Sequence, residues 1–186
     1  MLKPIKFVKI ALVSSLAALA IPLWFFKIPY PLASFLKFDL VGVPYAIAAL
    51  LSTTSTLLLA PILFIIFLYF NPDVIAISMK VIAELVTALP LSYTYRKLEK
   101  KGNIIKASLI ASTIAMVSRV LLMAVLNYFI APYWIVWTYK WSYEVAYQWT
   151  VTFLIPVNIT FNVICIAYIA PSSLATYRII RRLGIE

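Results

Sequence analysis

Lys80, Glu84, Arg119, Asn127, Asn158 and Asn162 each stand inside a long run of Ile, Leu, Val, Ala and aromatic residues. A charge within hydrocarbon costs at least about 2.5 kcal/mol on insertion scales, so ionisable groups in such runs mark functional sites by default. Lys80 and Glu84 are four residues apart and share one helix face. Arg119 falls at a depth in its own run close to that of Glu84, which predicts that Glu84 faces Arg119. Each asparagine amide carries two donors and an acceptor, the complement of the polar edge of an amide-bearing heterocycle. The same amides also serve as hydrogen-bonding glue between helices. Apart from Arg119, these residues map to one half of the predicted bundle, its outer half, as a small-molecule pocket requires.

Other chemistry is thinly represented. There is no histidine, and the single cysteine, Cys165, lies in an apolar run, which excludes an internal disulfide and most zinc or imidazole chemistry. No metal or cofactor is expected. A phosphate-binding loop of the G-x-x-x-x-G-K-[ST] type is absent, and three glycines could hardly build one. Glu84 acting as a general base with Arg119 or Lys80 is the enzymatic alternative, but no nucleophile–base pair or set of several carboxylates accompanies it. A non-transporting membrane scaffold is a third possibility, and it predicts no bound ligand.

The elements that must hold these groups are membrane helices. Hydrophobic residues make up 65% of the chain and charged residues 12%, with a mean hydropathy of +1.01, against roughly 45–50% and 25% in soluble domains. The 186 residues divide into about six spans of about 20 residues. The expected fold is therefore all-α: a single six-helix transmembrane bundle forming one domain over 1–186, multi-pass in the cell membrane and surrounded by lipid. The spans fall near 7–26, a short helix and a full one separated at "STTST" (52–56) within 40–70, then 75–95, 104–131 and 148–177. Between the first two lies "KIPYPLASFLKFD", a Pro-rich loop, and between the last two an aromatic-rich connection containing Tyr133, Trp134, Trp137, Tyr139, Trp141, Tyr143 and Tyr147. Most of these rings suit an interfacial belt, and one or two could stack on a planar ligand.

The net charge of +10 does not point to nucleic acid, because the basic residues cluster beside apolar runs, as orientation signals do. With six spans, Lys3, Lys6 and Lys9, the cluster from Arg96 to Lys106, and Arg178, Arg181 and Arg182 all fall on one side. Both termini are then cytoplasmic. Lys37 and Asp39 come out at the opposite, outer mouth, where Asp39 precedes a helix start and can cap its free N–H groups.

Read together, these stretches resemble the riboflavin-type substrate-binding (S) component of energy-coupling factor (ECF) vitamin transporters. "IPYPLASFLKFDL" is similar to the family's Pro-rich first loop entering a Phe-Leu-Lys-x-Asp helix start, and "AEL" at 83–85 to its Gly-Glu-Leu. "LNYFIAPYW" at 126–134 matches Leu-Asn-Tyr-Phe-x-x-x-Pro-x-Tyr with a spacing one residue shorter, and "IPVNITFN" at 155–162 resembles Ile-Pro-Phe-Asn-x-x-Lys. The chain departs where the family's lysine becomes Asn162, an aspartate after Asp39 becomes Gly42, and an asparagine becomes Thr87.

The resemblance implies a subunit that captures a vitamin, riboflavin or a related flavin, from outside, with Asp39, Lys80, Glu84, Thr87, Asn127, Asn158 and Asn162 at the ligand. It implies docking on a transmembrane T subunit that carries two ATPase subunits. "ALVSSLAALA" places Ala11 with Ser15 and Ser14 with Ala18 at spacing four, which permits close helix approach. In this family such a face serves docking; internal packing is the alternative for either pair.

Overall fold

The computed structural model describes residues 4–100 and 102–184. Lys3, the Lys6 side chain and Lys101, used above for orientation, lie outside the described residues. The helices begin where short polar side chains can take up free N–H groups. Ser52 accepts from the Ser55 N–H, Asp73 from Ala76 and Asn103 from Lys106, which starts α3 (Thr53–Phe70), α4 (Val74–Glu99) and α5 (Ile104–Tyr139). α1 (Pro4–Phe25) and α2 (Gly42–Leu51) precede them, and the separation within 40–70 falls at Ser52, in extended conformation. α6 (Tyr143–Trp149) runs through a π-helical turn, Thr150–Leu154, into α7 (Ile155–Arg182).

Among the described residues, five helices are long and apolar enough to cross a membrane, and α2 is a further, shorter apolar helix. The distribution of side chains suits lipid. Large apolar residues such as Leu58, Ile65, Leu109 and Leu121 are exposed, whereas Glu84, Thr87, Arg119, Asn158 and Asn162 are buried. On α5 the buried residues recur every fourth position, Ala107, Ala111, Ala115, Arg119, Met123, Asn127, Ala131 and Ile135, with Pro132 beside them. Alanines let neighbouring backbones come close at one end of this row, and the polar groups occupy its middle.

Three sequence expectations are corrected. The segment taken as a Pro-rich loop is a β-hairpin, β1 (Ile28–Tyr30) against β2 (Ala33–Phe38), with Ile28 opposite Phe38 and Pro29 opposite Lys37, so the chain is not wholly α-helical. Two short edge strands leave room for Pro29, which has no N–H to pair. The aromatic connection is mostly helix: α5 continues through Pro132 to Tyr139 and ends on the left-handed Lys140 (φ 59°). Within a buried or membrane environment, neighbours can satisfy the groups that proline frees.

The third correction concerns Asp39, which is not at the mouth. The chain after β2 runs inward, and α2 starts beside Glu84, ten residues or about 15 Å into α4. A Cβ on Gly42 would sit 2.5 Å from both Glu84 Oε2 and Ile169 Cδ1. Glycine here is what allows α2 to begin against the middle of α4 and α7. All of α2 but Val43 is buried.

At the end away from the hairpin, arginines tie the helices together. Arg178 donates to Tyr95 Oη (3.0 Å) and to Ser108, Arg96 donates to Thr53, and Arg181 pairs with Glu99 at 2.7 Å.

Candidate functional site

A buried charge is tolerated when an opposite charge and hydrogen bonds replace its water. The interior polar residues meet that condition jointly. Lys80 Nζ lies 2.7 Å from Asp39 Oδ2 and 3.3 Å from Glu84 Oε1, and Arg119 Nη1 lies 3.5 Å from Glu84 Oε2. Two acids thus face two bases, and the tetrad is neutral. Asp39 also accepts the Val41 N–H at 3.0 Å, so it fixes the turn into α2 from within the bundle. Glu84 Oε2 has no hydrogen-bond partner among the described residues and faces the Arg119 charge at 3.5 Å.

Arg119 reaches further. Its Nε donates to Asn162 Oδ1 at 2.7 Å and its Nη1 to Thr87 Oγ1 at 2.9 Å. Asn162 Nδ2 in turn donates to the Asn158 carbonyl (2.8 Å) and to Asn158 Oδ1 (2.5 Å). Asn127 Nδ2 donates to the Met123 carbonyl at 2.7 Å. The amides are therefore unequally engaged. Asn162 is spent on protein groups, whereas Asn158 Nδ2 and Asn127 Oδ1 have no hydrogen-bond partner among the described residues.

These groups surround a cavity of 560 Å³, within the roughly 300–1,000 Å³ of small-molecule sites. Asp39, Lys80, Glu84, Arg119, Asn127, Asn158 and Asn162 all line it. Thr87 does not; it is buried behind Arg119. Each of α4, α5 and α7 contributes one stripe at three- or four-residue spacing, such as Ala76–Lys80–Ala83 and Asn158–Phe161–Cys165. The β-hairpin supplies a further wall through Ser34, Phe35, Leu36 and Lys37.

The hairpin is held by α7. Tyr30 Oη and Thr160 Oγ1 are 2.8 Å apart, Phe38 stacks on Phe161 with centroids 4.7 Å apart, and Tyr168 Oη donates to the Asp39 carbonyl at 2.7 Å. Opposite, Trp134 Nε1 donates to Asp73 Oδ2 at 2.9 Å, which holds the indole at the wall of the cavity. Trp24 stacks on Phe67, with centroids 4.4 Å apart, beneath Lys27. Sequence reasoning missed Trp24, Lys27, Tyr168 and the Asp73–Trp134 pair as site residues. Nothing local in the sequence connects Asp73 to a ring 61 positions away.

The docking residues named from the sequence lie elsewhere. Ala11, Ser14, Ser15 and Ala18 are all exposed on α1, whereas Val13 and Ala20 on its other side are buried. The four form an open face of small side chains that no described element covers.

No protein-family model and no curated protein matches the sequence. Among solved structures, the S component of a bacterial ECF transporter superposes with a TM-score of 0.67 at 20% identity, over 94% of this chain and 96% of that one. At that identity the likeness is one of architecture, and it runs nearly end to end: this chain has the fold of an ECF transporter S component.

Proposed function

We propose that this protein is the substrate-binding subunit of an ECF-type transporter, taking riboflavin or a related flavin from outside the cell. The observation that carries the reading is the 560 Å³ cavity, walled on one side by the hairpin, in which Asn127 Oδ1 and Asn158 Nδ2 present an unspent acceptor and donor. A flat heterocycle with amide-like edges offers the matching pair, and Trp134 and Phe161 offer aromatic surface at the cavity wall. The flavin itself rests on the sequence resemblance; the cavity supports a molecule of that size and polarity.

In this reading the bundle crosses the cell membrane six times, with the buried α2 completing one crossing, and both termini are cytoplasmic. The subunit hydrolyses nothing itself. A T subunit and two ATPase subunits supply the energy, and the small-residue face of α1 docks on the T subunit.

Binding is tested on the purified protein. A yellow preparation whose flavin is identified by mass spectrometry supports the assignment, and a different bound vitamin redirects it. In fluorescence titrations, Asn127→Ala and Asn158→Ala are each expected to weaken flavin binding by about 1–3 kcal/mol, roughly 5- to 150-fold. Asn162→Ala is expected to lower thermal stability as well, because it also removes an Arg119 partner. Unchanged affinity in the first two variants removes the amides from the site.

Orientation is tested by labelling. Cysteines at Pro72 and Tyr139, on the hairpin side of the bundle, are expected to react with an impermeant thiol reagent in intact cells, and one at Lys100 is not. Labelling at Lys100 without permeabilisation overturns the six-crossing orientation.

A further inference from the structure

Four cations line the cavity, Lys27, Lys37, Lys80 and Arg119, against three carboxylates, Asp39, Asp73 and Glu84. Their roles differ with position. Lys80 and Arg119 are committed to Asp39 and Glu84. Asp73 spends its oxygens on the Ala76 N–H and the Trp134 indole. Lys27 and Lys37 have no carboxylate within ion-pair distance among the described residues.

Lys27 immediately precedes β1, and Lys37 lies opposite Pro29 in the hairpin register. Both therefore sit where the hairpin meets the cavity. Lys27 Nζ stands 3.4 Å above the centre of the Trp24 ring, a contact that places its charge without neutralising it. Burial at this spot lowers the Lys27 pKa below the ordinary lysine value, and Lys80 and Lys37 push it the same way against the pull of Asp39. The ammonium is short of compensating negative charge.

We propose that Lys27 and Lys37 form an anion subsite at the hairpin edge of the cavity, and that the preferred ligand is a planar heterocycle carrying a phosphate or carboxylate group. The inference rests on the binding-subunit reading above. It adds unpaired positive charge to a site whose other lining cations are paired.

The test compares riboflavin with riboflavin 5′-phosphate on the purified full chain, read by flavin fluorescence. The phosphate ester is expected to bind roughly tenfold more tightly at low salt, with the advantage shrinking as salt is raised. In Lys27→Gln and Lys37→Gln the ratio of the two affinities is expected to fall toward one, whatever the change in riboflavin binding itself, and a ratio that stays near tenfold in both overturns the subsite. Equal or weaker binding of the phosphate ester overturns the subsite and leaves the flavin reading standing.

If neither flavin binds, the flavin reading fails, and the subsite is judged by amine acetylation followed by mass spectrometry. Phenyl phosphate is expected to protect Lys27 and Lys37 from acetylation, and benzyl alcohol is not; absence of protection overturns the proposal. A lipid headgroup is the other source of a phosphate. Protection by phosphatidylglycerol bilayers but not by phenyl phosphate assigns the lysines to lipid and likewise overturns it.

Discussion

Under the proposed transport function, tryptophan at Ala11 or Ser15 is expected to abolish ATP-driven uptake while leaving ligand affinity of the isolated protein near wild type. Both positions are exposed on α1, on the side turned away from Val13, Ala20 and the bundle interior. An indole there displaces no core atom, so folding and the cavity are spared. What it removes is close backbone approach, which depends on side chains no larger than Ala or Ser along the contact. Uptake is measured in cells that also express the T and ATPase subunits, and affinity on purified protein. If binding and uptake fall together, α1 packs internally through this face. If uptake survives both substitutions, coupling runs through another surface.

The second large effect is expected at Arg119. Arg119→Met strands Glu84 beside Lys80 alone and leaves Thr87 and Asn162 without the donor they now accept from. Removing one member of a buried ion pair costs about 3–5 kcal/mol, enough to lower the melting temperature of the detergent-solubilised protein markedly or to prevent its accumulation. Charge balance gives the control. Glu84→Gln combined with Arg119→Met returns the tetrad to neutrality and is expected to recover part of the loss. A double variant no more stable than Arg119→Met alone shows that packing around the guanidinium, and not charge, sets the cost.

Helix content was legible in the sequence because membrane spans depend on length and apolarity, both local properties. The interruption at Ser52 was legible for the same kind of reason: a cluster of Ser and Thr supplies its own cap. The nearness of Glu84 to Arg119 followed from depth alone, since two opposite charges at one level of a bilayer have few other partners.

What stayed hidden was non-local. The hairpin depends on β1 meeting β2 and on Tyr30, Phe38 and Asp39 meeting α7, and the prolines around it read as loop. The entry of Asp39 into the bundle depends on Gly42 lying against Glu84 and Ile169, which no window of sequence contains. Thr87, expected at the ligand by resemblance, is instead committed to Arg119.

The buried row on α5 has a further consequence. Four residues turn a helix by about 400°, so each step along that row advances about 40° around the axis. From Ala107 to Ile135 the row has swung through about 280°. The helix works like a screw thread, in which height and heading are locked together. Inserting one residue between Ala115 and Asn127 would raise the amide by only about 1.5 Å but rotate it by about 100°, out of the cavity and toward the lipid. Related chains should therefore vary freely in the residues of this stretch that face lipid, yet hold its length fixed.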